Sequence, residues 1–257
     1  MREALTEIAK KAGAIIVAHH GETHWTAKAD LSPVTAADQA SHAYLSRALQ
    51  DFASWPVVSE EGDPGYEVRK QYDQYWLIDP LDGTKGFIRG ERDFCISIAL
   101  MKGKVPVLGL IYAPLLEEWY YAEKGGKVFS SGSDVSEELP PRAKWRATVS
   151  RYHCSEATQH FLECNALKET LVVGSALKFC YLAVGRAEIY PRFEGSKEWD
   201  IAAGHLILEE SGGTLCDVRT GRPPSYNKPS VENPFFVACR KGLRIEDFLL
   251  PESVCAG

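Results

Sequence analysis

Apolar positions recur at helical spacing at the start of the chain and at strand spacing soon after. Leu5, Ile8, Ala12, Ile15 and Ile16 share one helical face, so the pattern predicts a helix over 3–19. Ala40, Tyr44, Ala48 and Phe52 do the same over 36–52, after a turn-rich linker from Lys28 to Thr35. The period then shortens. Residues 55–59 read as a short strand running into Glu60-Glu61-Gly62, and Tyr75, Trp76, Leu77 and Ile78 predict a strand buried on both faces. The polar stretch 63–73 between them, punctuated by Pro64-Gly65, predicts a mobile loop. Phe94, Ile96, Ile98 and Leu100 alternate with Cys95, Ser97 and Ala99, and tight turns lead on to strands expected at 105–112, 119–122 and 127–130. Closely spaced strands with short turns predict an antiparallel meander.

Residues 131–144 are rich in Ser, Gly, Asp, Glu and Pro and nearly free of apolar side chains, which marks a boundary. Beyond it strands and helices alternate: strand 146–150, helix 155–166, strand 169–173, helix 175–185, strand 187–190, helix 200–211 and strands 213–217 and 235–239. The expectation is an α+β half over 1–141 followed by an α/β half over 142–257. In α/β architecture, sites form at the carboxyl ends of strands.

A net charge of −6 argues against a nucleic-acid partner held through counterion release, but not against a small phosphorylated ligand met by cations. The seven cysteines, at 95, 154, 164, 180, 216, 239 and 255, form no C-x-x-C pair, and several lie in apolar runs. That usage suits buried free thiols in a reducing cytosol. The first residues read as an amphipathic helix and not as a signal peptide, and charges interrupt every apolar run before it could span a membrane. None of these patterns speaks to an oligomeric state.

The richest chemistry lies in residues 75–90. The apolar strand is expected to end at Asp79, because Pro80 offers the ladder no donor and should force a turn. Asp82 and Gly83 follow, so two carboxylates, the Leu81 carbonyl and the Thr84 hydroxyl gather on one stiff turn. Oxygen donors in that arrangement suit a hard divalent cation, although Asp-Gly and Pro are also ordinary turn residues. Elsewhere, Thr35 and Asp38 have the spacing of a capping box. Leu171-Val172-Val173 runs into Gly174-Ser175, a strand–glycine–helix junction that would present backbone N–H groups to an anion, with Lys178 on the same helical face. Asp200 needs only helix capping to explain it.

Two segments, D-P-L-D-G-T-x-x-F at 79–87 and W-D-x-A-A-G at 199–204, resemble the metal-site motifs of the inositol monophosphatase superfamily of Mg²⁺-dependent, lithium-sensitive phosphatases. Lys85-Gly86-Phe87, G-S-x-L-K-F at 174–179, Y-P-R-F at 190–193 and S-R-x-H at 150–153 are similar to the 3′(2′),5′-bisphosphate nucleotidase branch. Ala176 departs from that branch, in which many members carry a second serine. The resemblance implies a layered αβαβα sandwich with metals bound between the two halves. It assigns Glu60, Asp79 and the Leu81 carbonyl to one Mg²⁺ and Asp79, Asp82 and Asp200 to a second, with a weaker third ion sharing Glu60. Asp38 and Thr84 would orient the attacking water. Gly83, Thr84, Gly174, Ser175, Lys178, Arg192 and Asp200 would contact substrate, with His153 and Arg151 as further contacts.

The substrate so implied is adenosine 3′,5′-bisphosphate, cleaved to AMP and phosphate, with its sulfated relative as another, which links the chain to sulfate assimilation. The resemblance also admits a peripheral seat on the cytoplasmic face of the inner membrane. An inositol or sugar monophosphatase using the same metals is the alternative within enzymes, and Lys85, Lys178 and Arg192 favour the substrate with the additional phosphate. A ligand-binding regulator that has lost turnover is the alternative outside them, and the intact acidic set argues against it.

Overall fold

The computed structural model describes residues 1–21, 24–28, 33–131, 140–152 and 154–255. Helix α1 (Arg2–Ala18) is followed by the antiparallel pair β1 (Thr26–Ala27) and β2 (Pro33–Val34), then by α2 (Ala36–Phe52). Next come β3 (Val57–Ser59), α3 (Tyr66–Arg69), β4 (Gln74–Asp82), α4 (Thr84–Ile88), β5 (Cys95–Lys102), β6 (Val105–Ala113), β7 (Glu118–Glu123) and β8 (Phe129–Ser130). Strands β3 to β8 form one six-stranded sheet in sequence order, with β3 parallel to β4 and the rest antiparallel. The meander is as the alternation predicts.

The second half contributes β9 (Arg146–Val149), α5 (Glu156–Cys164), β10 (Glu169–Val172), α6 (Leu177–Ala183), β11 (Ile189–Arg192), α7 (Glu198–Glu210), β12 (Thr214–Asp217), β13 (Phe236–Cys239) and α8 (Glu252–Cys255). Its sheet has the order β10-β9-β11-β13-β12, parallel among β10, β9 and β11 and antiparallel beyond.

Period-two alternation explains the layering. Trp76, Ile78, Ile96, Ile98, Leu108 and Leu110 point to the face covered by α1 and α2. Their neighbours Tyr75, Leu77, Ala99, Met101 and Ile111 point the other way, onto α6 and α7 through Phe179, Ile201 and Ala202. The same central helices meet Tyr190, Leu215, Phe236 and Ala238 of the second sheet. That sheet's outer residues, Ala147, Ile189, Val237 and Cys239, pack with Phe161 of α5. The result is the αβαβα sandwich. No helix among the described residues is long and apolar enough to cross a membrane.

Three local expectations change. Strand β4 does not stop at Asp79 but continues through Pro80 to Asp82, with its register against β5 shifted between Asp79 and Asp82. A bulge leaves Pro80 where the ladder asks for no donor, and Ser41 Oγ donates to the Pro80 carbonyl at 2.8 Å. The stretch 63–73 contains α3, and its Arg69 is buried, so it is anchored more firmly than a surface loop. The helix expected from residue 175 begins at Leu177, because Ser175 has a left-handed backbone with φ +54°.

Candidate active site

Strands β3 and β4 run parallel, so their carboxyl ends share one edge of the sheet. The pairing of Ser59 with Ile78 sets Glu60 beside Asp79, and Glu60 N–H donates to the Ile78 carbonyl at 3.2 Å. Helix α7 lies across β4, β5 and β6 and delivers Asp200 in its first turn. Carboxylate oxygens of Glu60, Asp79 and Asp200 all fall within 4.8 Å of one another. Burial first, then the neighbouring charges of Glu60, Asp82 and Asp200, push the Asp79 carboxyl well above its usual range. Burial and Asp82 likewise raise Asp200 to about 8. Asp82 adjoins this trio and turns one oxygen to Ala176 N–H at 2.6 Å; burial raises it to about 6 against the opposing pull of Lys178.

Asp38 serves two partners with its two oxygens. Oδ2 accepts from Thr35 N–H at 2.7 Å and Thr35 Oγ1 at 2.6 Å, completing the predicted capping box. Oδ1 accepts from Thr84 Oγ1 at 3.0 Å, and the same hydroxyl lies 3.1 Å from the Leu81 carbonyl. Capping and a role beside Thr84 therefore coexist. Gly83, at φ +100°, makes the turn from β4 into α4, and a side chain there would be strained.

The junction after β10 differs from expectation in how its donors are used. Gly174 N–H already donates to Asp93 Oδ2 at 2.7 Å, and Ala176 N–H is on Asp82. Ser175 Oγ donates to the Asp93 carbonyl at 2.8 Å. These acceptors come from the other half of the chain, which is why local sequence did not reveal them. Lys178 is buried, not on the surface. Its Nζ donates to the Ser175 carbonyl at 2.6 Å and the Val173 carbonyl at 3.2 Å and lies 5.2 Å from the Tyr190 ring centre. Burial lowers its ammonium to about 8, with Asp82 opposing.

Glu60, Asp79, Leu81, Asp82, Gly83, Thr84, Asp93, Gly174, Ser175, Ala176, Lys178 and Asp200 line one cavity of about 510 Å³, which Arg192 also enters. Arg192 Nη2 donates to the Gly195 carbonyl at 2.8 Å, while its buried Nε has no hydrogen-bond partner. Arg151 sits at the rim, 3.2 Å from Asp93 Oδ2 and 3.6 Å from Glu91. Lys85 lines the rim as well, and His153 lies outside the described residues. Sequence reading missed Asp93, the latch on the Gly174 junction, and Lys28. Lys28 Nζ lies 2.7 Å from Glu60 Oε1 and 2.5 Å from Glu61 Oε1. Burial opposes its charge, but the two glutamates outweigh burial and hold the ammonium above its usual range. No local signal marks a lysine in a turn-rich linker for that place.

The sequence profile of the inositol monophosphatase family matches residues 1–242. A 3′(2′),5′-bisphosphate nucleotidase CysQ of Salmonella typhimurium is 38% identical over 243 residues, covering 92% of this chain and 98% of that protein. The CysQ of Escherichia coli is 37% identical over the same coverage. Among solved structures, CysQ from Bacteroides thetaiotaomicron superposes with a TM-score of 0.81 at 33% identity, covering 94% of this chain and 97% of that one.

Proposed function

The chain belongs to the inositol monophosphatase family, and from that premise we propose that it is a Mg²⁺-dependent phosphatase converting adenosine 3′,5′-bisphosphate to AMP and phosphate. The observation that carries this reading is the meeting of Glu60, Asp79 and Asp200 in a cavity that also holds Lys178 and Arg192.

The donor set fits a hard divalent cation. Three carboxylates within 4.8 Å repel one another, and Asp79 is fully enclosed, so the cluster is costly unless positive charge joins it. Lys28 answers Glu60 and Glu61 but not the other two. Glu60, Asp79, Asp82, Asp200 and the Leu81 carbonyl would hold two ions, with Asp79 shared and a weaker third on Glu60. When bound, Mg²⁺ neutralises charge on the phosphoryl group and activates water for attack.

The chain's own residues do the rest. Thr84 Oγ1, tied to Asp38 and the Leu81 carbonyl, orients the water in line with the phosphorus, and Asp38 draws on its proton through that hydroxyl. The water oxygen bonds to phosphorus as the bond to the ribose 3′-oxygen breaks; the water gives up a proton toward Asp38, and the departing oxygen takes one from solvent, leaving AMP and hydrogen phosphate. Arg192 Nε supplies a donor for the phosphate that is not cleaved. Ser175 and Gly174 form the adjoining wall. Lys178 holds that wall by its carbonyls and adds positive charge behind it. The sulfated relative of the substrate fits the same scheme. We place the enzyme in a reducing cytosol, since Cys95, Cys154, Cys164, Cys180, Cys216 and Cys239 are free thiols.

Phosphate release from adenosine 3′,5′-bisphosphate and from inositol 1-phosphate, with Mg²⁺ and with chelator, tests the proposal. Release should need Mg²⁺ and favour the bisphosphate by roughly ten-fold or more in kcat/KM, the worth of a charged hydrogen bond. A preference for inositol 1-phosphate would move the chain to the monophosphatase branch. Asp79→Asn should abolish release while leaving the fold intact, and near-normal turnover by that variant would end the metal reading.

A further inference from the structure

Glu60 and Asp200 reach one point from distant parts of the chain. Glu60 follows a three-residue edge strand, whereas Asp200 opens a helix of the central layer. Apart from the bond of Glu60 N–H to the Ile78 carbonyl, so short a strand gives the turn few ladder bonds, yet a cation held by both carboxylates demands a fixed spacing between them.

A chain of bonds and ion pairs, buried from Arg69 onward, spans the gap. Ser59 and Gly62 pair across the turn that carries Glu60. Asp63 comes next, accepting Gly65 N–H at 2.9 Å and facing Arg69 Nε at 3.4 Å. Arg69 is 2% exposed; its Nη1 donates to Asn227 Oδ1 at 3.0 Å and its Nη2 to the Pro229 carbonyl at 3.2 Å. Asn227 Nδ2 returns a bond to the Arg69 carbonyl at 3.1 Å. The Asn227 backbone, at φ +52°, then donates its N–H to Glu198 Oε2 at 2.8 Å. Glu198 is 1% exposed, and its Oε1 takes both the Lys228 N–H at 3.1 Å and Lys228 Nζ at 2.6 Å. Asp200 lies two residues further along the same helix. Each charge has an opposite partner, so the network is stiff and expensive to break in part. Arg69, Asn227 and Glu198 are not among the residues that line the substrate cavity.

We infer that Arg69, Asn227 and Glu198 are positioning residues that set the spacing of Glu60 and Asp200, and thereby the affinity of the acidic cluster for a divalent cation. The inference rests on the metal reading above, and its test separates the two. Asn227→Gly keeps the left-handed backbone and the N–H to Glu198 while removing both side-chain bonds to Arg69. Lys228→Met removes an ammonium from Glu198 at a half-buried position.

Mn²⁺ binding to the chelator-treated full chain, followed by calorimetry, should weaken about ten-fold in each variant, the usual effect of losing a residue that orients metal ligands. The Mg²⁺ concentration for half-maximal phosphate release should rise in step, with kcat at saturating Mg²⁺ little changed. Asn165→Ala is the control, since it removes a buried amide bonded to Phe161 and Leu249 in the outer layer and should lower Tm without moving Mn²⁺ affinity. Unchanged Mn²⁺ affinity in whichever of the two network variants folds would make the network merely structural and overturn the inference. Wild-type protein that binds no Mn²⁺ would instead overturn the metal reading from which it starts.

Discussion

Asp200 is held by two opposing demands. It caps its own helix, accepting Lys197 N–H at 2.7 Å, and it faces other carboxylates in a half-buried cluster. Burial, then Asp82 and Glu60, raise its carboxyl from 3.8 to about 8. A carboxyl raised on folding binds more protons in the folded state, so its contribution to stability is complete at low pH and is lost as pH climbs through the folded value. Chelated protein should therefore lose stability between pH 5 and 7.5. A loss on the order of 1–2 kcal/mol corresponds to about 3–6 °C in Tm. Lys178, lowered from 10.5 to about 8, has the opposite sign, since its contribution is present above 10.5 and lost as pH falls through 8; it only begins to interfere at the top of that window. Mg²⁺ should abolish the fall, and Asp200→Asn should flatten it in chelator. Scanning calorimetry at stepped pH gives the answer, and a metal-free Tm that rises with pH would contradict this account of the cluster.

At the level of elements, the seat of α7 on the first sheet decides where Asp200 arrives. Gly109 of β6 makes that seat possible: a Cβ built there would stand 2.5 Å from the Ala203 carbonyl oxygen of α7. The obstacle is backbone, not the end of a flexible side chain, so the helix would have to lift. Gly109→Ala should cost about 1–3 kcal/mol, the usual price of overpacking a close-packed layer. It should also raise the Mg²⁺ concentration needed for half-maximal activity, because Asp200 moves with its helix. Urea unfolding together with a Mg²⁺ titration checks both effects, and a variant as stable as wild type would show that the helix can shift freely. The bulge in β4 is the second device at this level. By inserting Pro80 between Asp79 and Asp82 it carries both carboxylates to the end of one continuous strand.

Taken whole, the molecule has its largest core between the sheets, where Tyr75, Leu77 and Ile111 of the first half meet Phe179, Trp199 and Phe236 of the second. The latch of Asp93 on Gly174 and the bond from Asp82 to Ala176 tie the same halves at the cavity. Neither half buries its inner sheet face without the other. Thermal unfolding is therefore expected as one transition, with calorimetric and van't Hoff enthalpies that agree. Residues 1–141 produced alone should fail to give a cooperative transition. Two resolved transitions in the full chain would show that the halves are independent.

The order of helices and strands, and the motif-bearing turn at Asp79–Thr84, could be read from the sequence because both depend on neighbours a few positions apart. Helix α2 spans the predicted 36–52, and Thr35 with Asp38 forms the predicted capping box. The acids on which the resemblance settled also meet in space, Glu60, Asp79 and Asp200 as a trio with Asp82 beside them. Local rules failed where a long-range partner changed their outcome. Pro80 should have ended β4, but a bulge against β5 absorbed it. The donors at Gly174 and Ala176 should have been free for an anion, but carboxylates 81 and 94 residues away had taken them. Lys28 on Glu60, and Arg69 on Asn227 at a separation of 158 residues, carry no local signature at all. Periodicity reports which face of an element is buried, whereas only the stacking of the layers determines which charged groups are enclosed together and must answer one another.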